Sequence, residues 1–75
     1  MDIIFSRYAK RQMKWRKITE IEVKSVIDDP DTVVNTIKNR KNAFKITGGR
    51  NLKITYKPAD GSLTIITAMV KENNL

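Results

Sequence analysis

The sequence predicts one α+β domain over residues 1–75, in which a short strand and two helices precede an antiparallel sheet of about three to four strands. Two observations predict this class. Apolar residues recur with helical spacing up to Asp28, and the period changes to two after Pro30. A chain of 75 residues buries only a thin core. Oligomerisation or a bound partner would therefore add stability, and the sequence does not choose between them.

The first part of the chain carries the signals of one strand and two helices. Residues 3–5 are apolar and suit a short strand, and Ser6 is a good N-cap for a helix over residues 7–17. Thr19 and Glu22 have the spacing of a capping box at the start of the second helix. That helix ends before Pro30, because helical geometry is disfavoured for a residue that precedes proline.

The remaining chain has the period and the turn residues of strands. Residues 32–37 and 43–47 are predicted to be strands, and the glycine pair at 48–49 a turn. Residues 52–57 alternate apolar side chains with Lys53, Thr55 and Lys57, which is typical of a half-buried strand with a cationic outer face.

The last predicted strand differs in composition from the one before it. A hairpin loop over residues 58–62 leads into residues 63–70, which are apolar almost throughout. That run predicts a central strand that is buried on both faces. Residues 71–75 are polar, and we expect them to fray.

The charge of the chain favours an anionic partner. Fifteen Lys and Arg residues against eight Asp and Glu give a net charge of +7. Residues 7–17 carry six positive charges and residues 38–57 carry seven, and neither segment contains an acid. Acid-free basic segments raise the local potential and attract phosphates, so we expect RNA or another polyanion to bind. The alternative is an ordinary solubilising surface.

Missing residue types exclude several kinds of site. The chain has no cysteine and no histidine, so disulfides, thiolate metal sites, a cysteine nucleophile and a histidine general base are excluded. We expect Asp28, Asp29 and Asp31 to end a helix and contact a partner rather than bind a metal. No cofactor is expected. No long apolar run or signal peptide is present, so the sequence predicts a cytoplasmic protein that does not contact a membrane.

Short motifs along the chain resemble a family of small bacterial and archaeal domains that begin roughly Phe-Ser-x-His-Ala-x-x-Arg-Met-x-x-Arg-Gly-Ile-Ser. The residues in register with that opening are Phe5, Ser6, Ala9, Met13, Arg16, Ile18 and Thr19. Later matches are Glu22, Val23, Asp29, Pro30, Arg50, Tyr56 and Thr67. The family is similar in layout to the RelE and BrnT-like toxins, which are small ribonuclease folds usually paired with an antitoxin.

This resemblance implies a toxin-like, RNA-directed domain with an antitoxin as its partner. It leaves open whether the chain is a metal-independent endoribonuclease, because the motif is altered at three positions. Tyr8 stands at the family's His position, Gln12 at its first Arg position and Lys17 at its Gly position. These departures favour the alternative, a non-catalytic nucleic-acid-binding or small regulatory module on the same scaffold.

The candidate catalytic residues are Tyr8, Arg16 and Arg50. The two arginines match family positions and carry the bidentate group that suits a phosphate clamp. Tyr8 is assigned to base stacking or proton transfer. The three should share one phosphate, within about 10 Å of each other. Arg50 is placed in a surface turn, so we expect Arg50→Ala to leave folding nearly intact.

A second set of residues is predicted to bind nucleic acid without taking part in catalysis. Its members are Arg11, Trp15, Lys45, Lys53 and Lys57. For Tyr8 and Trp15 the helical pattern leaves two interpretations open, which are core packing and a base-stacking platform. Arg16 fits the border of the core as well as it fits a phosphate contact.

Overall fold

The computed structural model describes residues 2–71 and contains one mixed sheet with two helices packed on one of its faces. The elements in chain order are β1 (Asp2–Phe5), α1 (Arg7–Arg16), α2 (Glu20–Asp28), β2 (Thr32–Asn35), β3 (Lys41–Thr47), β4 (Arg50–Ala59) and β5 (Ser62–Val70). The α+β class and the order of elements are therefore confirmed.

The sheet has five strands in the order β1-β5-β4-β3-β2, which is more than the predicted three to four. The N-terminal strand accounts for the difference. It pairs in parallel with β5, from Asp2 opposite Ser62 to Phe5 opposite Ile65, whereas all other neighbours are antiparallel. Pairing between segments so far apart in sequence depends on tertiary packing. The alternation of apolar and polar residues within one segment does not show which segment it pairs with.

Local signals place both helices as predicted. The Ser6 side chain accepts a hydrogen bond from the Ala9 amide (3.0 Å) at the start of α1. Thr19 and Glu22 form the complete capping box at the start of α2. Lys17 ends α1 with a φ of 57°, a left-handed conformation that glycine adopts most readily, and the motif that the chain resembles has glycine at this position.

The core lies between the two helices and one face of the sheet. Val23 and Val26 of α2 are fully buried, as are Leu52, Ile54 and Ile65 of the central strands. The alternation predicted for residues 52–57 is confirmed, because Leu52 and Ile54 are buried whereas Lys53 lies on the opposite face.

The prediction that residues 63–70 are buried on both faces is wrong, although the strand does lie inside the sheet and not at its edge. β4 is central, and β5 lies between β4 and β1. In β5, Leu63, Ile65 and Ala68 are buried, while the alternate residues are only partly covered because neither helix of residues 2–71 packs on the other side. We call that uncovered side the open face; it carries Ile4, Val34, Phe44, Ile46, Lys53, Lys57 and Met69.

Several predicted boundaries also change. β2 ends at Asn35, because a turn with positive φ at Lys38 and Asn39 leads into β3. Of the tail predicted to fray, Lys71 is held instead, since its amide donates to the Asn51 carbonyl (2.7 Å). Residues 72–75 lie outside the described residues.

Candidate nucleic-acid interface

The residues predicted to form a site lie in three separate places. Four of them are on α1, namely Tyr8, Arg11, Trp15 and Arg16. Two face the helices from the sheet, namely Lys45 and Arg50. Two are on the open face, namely Lys53 and Lys57. The fold therefore brings together only part of the predicted set.

The four residues on α1 form a basic and aromatic strip, which we call the α1 surface. Tyr8 and Trp15 are 55% and 77% exposed, so core packing is excluded for both. The Arg16 guanidinium carbon lies 5.2 Å from the centre of the Trp15 ring, which is a cation–π contact. Arg11 is exposed between the two aromatic residues. The α1 surface therefore presents aromatic faces and guanidinium groups side by side.

Gln12 fixes the position of the α1 surface, and the sequence did not indicate this role. It is the one buried polar residue among those described, at 7% exposure. Its side-chain carbonyl accepts from the Ala68 amide of β5 (3.2 Å), and its side-chain amide donates to the Tyr8 hydroxyl (2.9 Å). Only the first half of β5 pairs with β1, so Gln12 takes the place of a neighbouring strand at Ala68. The one signal in the sequence was that position 12 departs from the motif that the chain resembles, which has arginine there.

Arg50 is not a free turn residue. It begins β4, and its guanidinium donates to the Arg16 carbonyl (3.0 Å), the Lys17 carbonyl (3.2 Å) and a Glu22 carboxylate oxygen (2.7 Å). Glu22 also belongs to the capping box of α2. Arg50 therefore joins the end of α1, the start of α2 and β4.

The three proposed catalytic residues are unequally placed. Arg50 contacts the backbone of Arg16, but the Arg16 guanidinium lies over Trp15. Tyr8 precedes Arg16 by eight residues, which is about 12 Å along a helix axis. Their convergence on one phosphate stays a prediction, and it requires Arg50 to leave Glu22.

Lys45 is also held by a contact within the protein. Its ammonium group donates to the backbone carbonyl (2.7 Å) and the carboxylate (3.2 Å) of Asp29 at the end of α2. The Asp31 carboxylate accepts from the Ile46 amide (3.0 Å). Both acids therefore fix the junction between α2 and the sheet. Across residues 2–71, no three His, Cys, Asp or Glu side chains are grouped to hold a metal ion.

Lys53 and Lys57 point away from the helices, as the predicted cationic outer face requires. Their ladder partners in β5 are Met69 and Thr64. Lys71 adds a third cation to this side, with its ammonium nitrogen 5.0 Å from the centre of the Phe44 ring. The open face is therefore basic, but it is separated from the α1 surface by the thickness of the sheet.

Contacts at the start of α2 lower the pKa of the Glu22 carboxyl. Hydrogen bonds from the Thr19 amide, followed by the Arg50 guanidinium, hold the pKa of Glu22 below its ordinary value of 4.5. A carboxylate whose pKa falls on folding stabilises the folded state above its unfolded pKa, and this stabilisation is lost as the pH falls through the folded pKa.

This shift gives a testable pH dependence. Glu22→Gln keeps a capping-box residue but removes the charge, so we expect it to be less stable than the wild type at pH 7. The difference should shrink once the pH falls below about 4.5 and through the lowered pKa of Glu22. Urea unfolding at a series of pH values measures it. Glu20→Gln, in the same helical turn, is the control, and a difference that does not change with pH would contradict the prediction.

Comparison of the chain with protein-family models, curated proteins and solved structures returned no match. The family resemblance therefore rests on the motif residues alone. Neither helix within residues 2–71 is long or apolar enough to cross a membrane.

Proposed function

We propose that this chain is a cytoplasmic RNA-binding domain that binds single-stranded RNA through the α1 surface and does not cleave it. The observation that carries the proposal is the pair of exposed aromatic residues, Tyr8 and Trp15, in a segment, residues 7–17, that carries six basic and no acidic residues. Charged side chains alone make a surface soluble, whereas exposed aromatic rings do not add to solubility and therefore indicate binding.

The arrangement suits a flexible, unpaired strand. Base–aromatic stacking contributes about 1–3 kcal/mol per base and tolerates any base. Tyr8 and Trp15 are seven residues apart, or about 10 Å along the helix, which corresponds to roughly three nucleotides of a stacked strand. Arg11 and Arg16 lie beside the rings, where their planar groups can contact phosphates in pairs of hydrogen bonds.

A toxin-like ribonuclease with a RelE-like layout and an antitoxin partner is the second candidate. The observation in its favour is Tyr8, which stands at the His position of the resembled motif. Its hydroxyl accepts a hydrogen bond from Gln12, so the hydroxyl proton remains available for donation to a leaving group. Against it, Arg50 of the expected phosphate clamp is already paired with Glu22, and Lys45, which was expected to bind nucleic acid, is paired with Asp29. Incubation with end-labelled RNA separates the candidates: cleavage that Tyr8→Phe abolishes would replace our proposal.

The binding proposal predicts a steep salt dependence. We expect affinity for a single-stranded oligonucleotide to fall by about tenfold or more between 50 and 200 mM salt, because each phosphate contact releases counterions. Trp15 is the single tryptophan, so quenching of its fluorescence reports stacking directly, and anisotropy of a labelled RNA reports affinity. We expect Trp15→Ala to weaken binding by about 1–3 kcal/mol.

The matched control is Ile21→Ala on α2, because Ile21 is as exposed as Trp15 but lies outside the α1 surface. That variant should bind RNA like the wild type. Absence of binding at low salt, or equal loss from the two alanine variants, would rule out the α1 surface as the RNA site.

A further inference from the structure

The outer edge of β2 is the most exposed piece of the sheet. All four of its residues are exposed, with Val33 at 42% and Val34 at 47%, and Ile37 just beyond them at 76%. Within residues 2–71 no strand pairs with this edge, since β2 is the last strand in the order. Unpaired edges that carry β-branched apolar residues are templates for pairing with another chain.

The hydrogen bonds of the neighbouring strand show which β2 groups point outward. The Thr36 amide donates to the Arg40 carbonyl (2.8 Å), and antiparallel pairs bond at every second residue. The register of β2 with β3 continues from that bond through Val34 opposite Asn42. The amide and carbonyl groups of Thr32 and Val34 therefore face β3, while those of Val33 and Asn35 face outward without a strand partner.

We propose that two copies of this chain pair through β2, antiparallel about a two-fold axis at Val34, and so join their sheets into one. In this register Val33 of each copy lies opposite Asn35 of the other. Because the amide and carbonyl groups of both residues face outward, they can form hydrogen bonds across the interface. The two Val34 side chains meet at the axis in a pair without hydrogen bonds, where side chains approach most closely.

Charge selects this occupant and this direction. The segment before β2 is acidic, with Asp28, Asp31 and Asp29, whose exposed carboxylate also contacts Lys45, and the segment after β2 is basic, with Lys38, Arg40 and Lys41. Antiparallel pairing about Val34 sets the acidic end of each copy against the basic end of the other. Because β2 ends at Asn35, Asp31 then lies near the turn of the second copy that carries Lys38, whereas parallel pairing would put like charges together. The local complementarity opposes the repulsion that the net charge of +7 would otherwise cause.

The interface is short, so we expect a dimer of low affinity. A four-residue strand and its flanking turns bury less than the roughly 1,200 Å² that marks the lower bound of stable interfaces. Sedimentation of the wild type over a range of concentrations should show the average mass rising from monomer toward dimer. Val34→Lys should remain monomeric at the same concentrations, while Ile46→Lys, on the same face but one strand inward, should dimerise like the wild type.

A single cysteine tests the register. The chain has no native cysteine, and a pair without hydrogen bonds brings its Cα atoms to about 4.5 Å, within the range that a disulfide spans. Mild oxidation of Val34→Cys should give a covalent dimer as the main product. Ile46→Cys should remain monomeric, because its copies lie at least three strand spacings apart, or about 14 Å.

Two outcomes would overturn the proposal. One is a wild type that stays monomeric at the highest concentration, which would indicate that the β2 edge pairs with an extended segment of a different protein. The other is cross-linking of Val34→Cys that is no faster than that of Ile46→Cys. RNA binding by the α1 surface does not depend on either result, because the dimer assays contain no RNA and no residue of the α1 surface belongs to β2.

Discussion

We expect Arg50→Ala to lower the free energy of unfolding by about 2–3 kcal/mol. The substitution removes three hydrogen bonds from a charged donor and leaves the Arg16 and Lys17 carbonyls and the Glu22 carboxylate without it. The side chains of Arg50 and Glu22 are 31% and 23% exposed, so water compensates part of the loss and the full cost of breaking a buried pair does not apply. Urea unfolding followed by circular dichroism measures the change.

Two variants make this result specific. Lys53→Ala lies on the same strand but points to the open face, so its stability should change little. Arg50→Lys keeps a positive charge near Glu22 but has no planar fork to reach both carbonyls as well, so it should recover only part of the loss. A fully stable Arg50→Ala protein that has lost RNA binding would instead support the phosphate clamp inferred from the family resemblance.

The parts of the fold that the sequence predicted depend on short-range physics. The Thr19–Glu22 capping box, the Ser6 cap and the proline after Asp29 each act within one helical turn, so they can be interpreted from neighbouring residues alone. The alternation in β4 is equally local, because successive side chains of a strand must point to opposite faces.

What the sequence did not predict depends on partners distant in the chain. The apolar run of residues 63–70 indicates burial, but whether both faces are covered depends on where the helices pack, and both pack on one side. The parallel pairing of β1 with β5 joins Asp2 to Ser62, and nothing in either segment specifies the other.

The candidate site divides in the same way. Helical spacing alone places Tyr8, Arg11 and Trp15 of the α1 surface next to one another, and all three are exposed as a base-stacking platform requires. Arg50 was assigned to a phosphate clamp because it matches a position of the resembled motif and carries a bidentate group, and Lys45 was assigned to nucleic-acid binding within an acid-free basic segment. Their acidic partners come from α2, in a different part of the sequence, and a charge count by segment does not detect such pairs.

Gln12→Leu should lower the free energy of unfolding by about 2 kcal/mol, even though leucine suits a buried helical position better by hydropathy. Leucine fills similar space but cannot accept a hydrogen bond from the Ala68 amide. That amide would then be buried without a partner, which costs about 1–3 kcal/mol. Gln12→Glu retains an acceptor for the amide but buries a charge, so it should also be destabilising at neutral pH and less so when protonated.

Amide hydrogen exchange distinguishes this mechanism from a general loss of packing. In Gln12→Leu the protection of the Ala68 amide should fall by more than that of the Ile54 amide, which the β3–β4 ladder holds independently. Lys10→Ala, on the exposed side of α1, is the control for changes in helix propensity and should leave both amides protected. If Gln12→Leu is as stable as the wild type and Ala68 exchanges no faster, the hydrogen bond from β5 to Gln12 does not hold α1 on the sheet, and packing by Ala9 and Met13 alone positions the α1 surface.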